Sequence, residues 1–89
     1  GQGGDGGNIP HTELSPAEFE NGMDVITLLR TTGLIDSSSE GRRLIEQGGL
    51  TIEEQKITDI KHLVHLDDFN GGKVLIKKGK KSFHQVILK

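Results

Sequence analysis

Residues 37–52 read SSSEGRRLIEQGGLTI, and this stretch decides the fold. Ser37 followed three residues later by Glu40 is a capping box, in which each side chain satisfies an orphan amide at a helix start. Leu44 and Ile45 supply the inward side of that helix, and Gly48-Gly49 ends it. Arg42 and Arg43 stand about 100° apart around the helix axis, so at least one of them projects into solvent. Leu50 and Ile52 then alternate with polar neighbours, the mark of a half-buried strand. A short helix hands the chain straight to a strand.

Upstream, Asp24 is placed to cap a first helix whose apolar positions Val25, Leu28 and Leu29 share one face at i, i+3 and i+4. Gly33 stops it, because glycine takes the left-handed conformation cheaply, and Leu34 and Ile35 return to the core. Downstream, LTIEEQKI (50–57) reads as strand, turn, strand. Ile60, Leu63, Val64 and Leu66 add core residues, and Asn70-Gly71-Gly72 signals a turn. KVLIKKGKKSFHQVILK (73–89) reads as a β-hairpin about Gly79 whose register depends on whether the turn has two or three residues. The expected architecture is α+β: two helices followed by a small, mainly antiparallel sheet of three to five short strands, ending in a basic hairpin. It spans residues 22–89. Residues 1–21 are expected to be a linker and connector. GQGGDGGN has five glycines in eight residues and nothing to pack, and Pro10 and Pro16 discourage a long helix in IPHTELSPAEFENG, which reads as an extended connector with one or two side chains to pack.

With 89 residues, 31% of them hydrophobic and 3% aromatic, the chain holds one domain with a thin core. It has no cysteine and no apolar run long enough for a bilayer, so the expected location is the cytoplasm and no membrane partner is expected. The net charge of −2 hides an asymmetry: residues 1–40 carry seven acids against Arg30 (−6), and residues 41–89 carry ten bases against six acids (+4). From Gly72 to Lys89 there are six lysines and no acid. Charge at a hairpin tip guards exposed edges, but one or two lysines serve that end. Four in KKGKK (77–81) repel one another until an anion neutralises them, and phosphates do so with release of counterions. With no Trp, no Tyr and three Phe, base stacking is not the main mode. Recognition of folded RNA by shape and backbone remains. Catalysis has little to work with. His62 and His65 lack a third metal ligand, Asp67-Asp68 suit a turn, and the glycines of residues 1–7 neither follow a strand nor open a helix. No catalytic or metal residue is therefore assigned.

GLIDSSSEGRRLIEQGGLTI (33–52) resembles the helix–strand core of the RNA-binding module named after a small-subunit ribosomal protein, the S-four type. The chain is most similar to that module in the C-terminal domain of bacterial tyrosyl-tRNA synthetases. MDVITLLRTTGL matches the first helix, SSSEGRRLIEQGG the second, LTIEEQKITD the first strand pair and VLIKKGKKSFHQVIL the basic terminal hairpin. The resemblance implies a compact module, tethered behind a catalytic domain, that binds tRNA for tyrosine around its long variable arm and anticodon stem. Ser38 and Arg42 match positions that face RNA, and Lys77, Lys78, Lys80 and Lys81 match the basic hairpin. Arg43 and Lys56 complete the candidate RNA-binding set. No HIGH or KMSKS signature is present, so this stretch is expected to need no cofactor and to catalyse nothing. The parent would join tyrosine to tRNA with ATP, as a homodimer through its catalytic domain, with the present stretch monomeric on its own. Three departures stand out: Glu53-Glu54 where the family has Asn-Gly, which resists positive φ and repels phosphate; Gly41 for a usual alanine, at roughly 1 kcal/mol; and no arginine at Gly22-Met23. The alternatives are a free-standing module that binds ribosomal RNA or modifies RNA, and an interaction module for an acidic protein surface.

Overall fold

The structure is a computed structural model and describes residues 9–89. Asp24 accepts a hydrogen bond from the Thr27 amide at 3.1 Å and opens α1 (Val25–Thr32); Gly33 closes it at a φ of 81°. Ser37 caps α2 (Ser38–Glu46) by accepting from the Glu40 amide at 3.3 Å. The return arm of the expected capping box differs: the Glu40 carboxylate accepts from the Asp36 amide at 2.9 Å, one residue further back. Gly41 is buried between the helices. A Cβ there would lie 2.7 Å from Ile35 Cδ1 and 2.8 Å from Ile26 Cδ1, so its helix-propensity cost is offset by the close approach it allows.

Seven short strands and two 3-10 turns (Pro16–Phe19 and Leu66–Asp68) make up the other elements of the described residues: β1 (His11–Leu14), β2 (Met23–Asp24), β3 (Leu50–Ile52), β4 (Gln55–Lys56), β5 (Leu63–Val64), β6 (Lys73–Lys78) and β7 (Ser82–Leu88). Five form one sheet in the order β1-β7-β6-β3-β4, antiparallel throughout except for the parallel pair β1–β7. β2 and β5 pair as a separate ribbon, a two-residue ladder too short to leave a periodic trace in the sequence.

Residues 9–21, expected as a connector, belong to the domain. β1 covers the outer edge of β7, an edge that would otherwise present unpaired backbone groups. Leu14 and Phe19 enter the core, and the Phe19 ring meets Phe69 edge-on at 4.8 Å. Pro10 and Pro16 do exclude a long helix; they also bracket a four-residue strand. The expected linker of residues 1–8 lies outside the described residues.

The Glu53-Glu54 turn corrects another expectation, because both residues take positive φ (49° and 66°). The strain is met by bonds to β6: the Glu53 amide donates to the Leu75 carbonyl at 2.9 Å, and the Leu75 amide donates to the Glu53 carboxylate at 2.7 Å. The side chain thus replaces the backbone carbonyl that the turn carries away. At the terminal hairpin the loop is Gly79-Lys80-Lys81, three residues, with Lys78 opposite Ser82 and Gly79 at a φ of 67°. That register sends Val74, Ile76, His84 and Val86 inward onto a core shared with Leu28, Leu29, Ile45, Leu50 and Ile52.

Candidate nucleic-acid interface

Strand parity divides the lysines of 77–81. Lys78 follows Val74 and Ile76 on the inner face, where its Nζ donates to the Leu34 carbonyl at 2.6 Å and pairs with the Glu40 carboxylate at 3.2 Å. It clamps β6 to the loop before α2, so of the four hairpin lysines expected to face RNA, Lys78 is the one already engaged by groups of this chain. Two hydrogen bonds, from the Asp36 amide first and from Lys78 second, hold the Glu40 carboxyl below the usual carboxylate range.

Lys77 stands on the outer face, opposite Thr51 on one side and Phe83 on the other, with Lys56 next beyond Thr51. The register thus aligns Lys56, Thr51, Lys77 and Phe83 in one row across four strands. Lys77 Nζ lies 5.6 Å from the centroid of the Phe83 ring. Lys80 and Lys81 are exposed in the loop. The Gly79 amide donates to the Gly49 carbonyl at 2.7 Å, which fixes the root of this loop against the end of α2. The Lys56 side chain runs beside Gly48 in that same helix exit. Arg42 and Arg43 are both exposed on α2, and Ser38 is half-buried in its first turn. The described candidates therefore fall into two groups, one on the helix layer and one on the outer sheet face, with the loop between them tied to the helix exit.

What such a surface can do is bind anions. Among the described residues, no group of three or more histidine, aspartate or glutamate side chains is placed to hold a metal ion. His62 and His65 sit on either side of β5 and belong to no such group. Phe83 is the feature that sequence reasoning passed over. Phe19 is fully buried and Phe69 half-buried, but Phe83 is 37% exposed. The signal that could have found it was the length of the hairpin loop, since a three-residue loop places Phe83 beside Lys77.

The family model described as the tyrosine–tRNA ligase SYY-like C-terminal domain matches residues 5–86. The chain belongs to this family. It is 49% identical over 81 residues to a tyrosine–tRNA ligase of Acetivibrio thermocellus, covering 91% of this chain and 20% of that protein. It is 44% identical over 78 residues to one of Lachnoclostridium phytofermentans (86% and 19%) and 36% identical over 88 residues to one of Clostridium perfringens strain 13 (99% and 21%). The chain spans about a fifth of the length of these relatives. As a member of the C-terminal domain family it has the α+β build that the sequence led us to expect, and the match begins upstream of β1, in accord with the place of that strand in the sheet. Among the described residues, no helix is long and apolar enough to cross a membrane.

Proposed function

We propose that this chain is the tRNA-binding C-terminal part of a tyrosine–tRNA ligase and holds tRNA for tyrosine by the backbone of its long variable arm and anticodon stem. The match to the family over residues 5–86 carries this reading. The cations at the surface support it: half-buried Lys77 with exposed Lys80 and Lys81 on the hairpin, exposed Lys56 on β4 beyond β3, and exposed Arg42 and Arg43 on α2. Among the described residues none of these six is ion-paired to a carboxylate, and phosphates would bind there with counterion release. Ser38 adds a hydroxyl at the start of the same helix. The catalytic work, joining tyrosine to tRNA with ATP, belongs to the remainder of the parent protein, acting in the cytoplasm as a homodimer through its catalytic domain. The present chain needs no cofactor and acts as a monomeric RNA-binding unit.

The test is a salt titration of binding to a transcript of tRNA for tyrosine. Replacing Lys77, Lys80 and Lys81 by alanine, with Lys78 kept for the fold, lowers affinity. It also flattens the slope of log affinity against log salt by about 0.7–0.9 for each phosphate left without its lysine. Arg42→Ala lowers affinity further. A triple variant with the wild-type slope overturns the phosphate-backbone reading.

A further inference from the structure

The outer face of the sheet holds a hollow of about 430 Å³ lined by Thr51, Glu54, Leu75, Lys77 and Phe83. Its walls come from three strands and a turn that the register fixes together, with Thr51 opposite Lys77 and Lys77 opposite Phe83. The hollow combines an exposed aromatic ring, an aliphatic side chain, an ammonium, a hydroxyl and a carboxylate. That is the inventory that recognises a nucleobase: a flat apolar surface for its π-face, with polar groups for its edges. A protein or lipid partner would meet too little apolar area here, since Leu75 is half-buried and Phe83 stands at the edge of the lysine-bearing loop.

We infer that this hollow is a base-binding subsite, in which a single unpaired base of the bound RNA stacks on Phe83 while Lys77 meets its phosphate. The inference rests on the RNA-binding reading above and deepens it. Phosphate contacts position the RNA, and one stacked base tells a strand with an extruded nucleotide from a plain duplex. Thr51 and Glu54 give hydrogen-bonding groups to the polar edge of that base. The Glu53-Glu54 turn, which repels phosphate, then serves the base edge instead. One aromatic platform suits a single base and leaves the backbone as the main source of affinity.

The chain has no tryptophan and no tyrosine, so Phe83→Trp introduces a unique emitter at the proposed stacking position. The expected result is that a tRNA transcript for tyrosine quenches its emission, whereas a fully paired RNA duplex of equal charge binds without quenching. Phe83→Leu, which keeps an apolar side chain at an exposed site, weakens tRNA binding by roughly 5- to 150-fold while the salt slope stays at the wild-type value. Quenching by the duplex to the same extent overturns the subsite, because the ring would then sense the backbone alone. Salt-dependent tRNA binding without quenching, together with wild-type affinity in Phe83→Leu, also overturns it and leaves the phosphate reading standing. Absence of salt-dependent binding in the wild-type chain overturns both.

Discussion

On the inner face of the β6–β7 hairpin, Val74 and Ile76 are fully buried and Lys78 is bonded to the α1–α2 loop; on the outer face Lys73 is exposed and Leu75 and Lys77 are half-buried. The two sets are interleaved in one six-residue strand. Their energetics differ because the inner set exchanges water for core packing and a carbonyl, and the outer set gives up only part of its water. Lys77 and Lys78 are adjacent in sequence and unlike in purpose. A lysine count is therefore a poor measure of a binding surface; parity within the strand comes first.

The largest contrast is in the core. Ile76→Ala empties a site with no exposed surface and should cost about 2–5 kcal/mol in a urea titration, while Leu75→Ala on the other face should cost less than about 1 kcal/mol. Equal losses would mean that the outer face is packed too. A smaller contrast separates the lysines. Lys78→Ala removes the bond to the Leu34 carbonyl and leaves that acceptor without its ammonium, at about 1 kcal/mol. Lys80→Ala should stay within about 0.5 kcal/mol. The order reverses in RNA binding: Lys80→Ala weakens it and Lys78→Ala, once folded, leaves it nearly unchanged. If the salt slope of the Lys78 variant flattens as that of the Lys80 variant does, the division of the cluster by parity is wrong.

Both helices were legible because each carries its own punctuation. Asp24 and Gly33 bracket one, Ser37 and Gly48 the other, and these are local devices that work wherever the chain goes. The hairpin was legible as a hairpin but not as two faces, since its register depends on a loop length that glycine at position 79 leaves open. β1 and the β2–β5 ribbon were not legible, because a strand of two to four residues is defined by its partner rather than by its own alternation. The Glu53-Glu54 turn was misjudged for a related reason. Propensity disfavours positive φ there, and the offsetting bonds come from Leu75, 22 positions away. The candidate site followed the same rule: exposure of at least one of Arg42 and Arg43 could be read from helix periodicity, whereas the capture of Lys78 and the exposure of Phe83 required the third dimension.

The smallest effect expected from the inner face is that of one proton. His84 is buried opposite Ile76, and its Nε2 shares a 2.7 Å hydrogen bond with the Thr12 hydroxyl, which fastens β7 to the edge strand β1. Burial, and then the proximity of His11, push its pKa below the ordinary histidine value of 6.5. The hydrogen bond survives protonation, with the ring N–H donating and the Thr12 hydroxyl accepting, so the cost lies in burying the charge. In the unfolded chain the imidazole takes its proton near 6.5, while in the folded chain it stays neutral to lower pH. The unfolded state thus binds more protons across that interval, and stability falls as pH drops through 6.5 toward the folded pKa, below which the loss levels off. Glu40 has a separate window: its lowered carboxyl contributes stability above 4.5 that is lost as pH falls further. Urea midpoints measured from pH 7.5 down to 5 should therefore fall in the wild-type chain and fall less in His84→Gln, where the amide can still bond Thr12 but cannot be charged. Parallel pH profiles for the two proteins would show that His84 titrates in the folded state as it does in water, and that this end of the inner face is open.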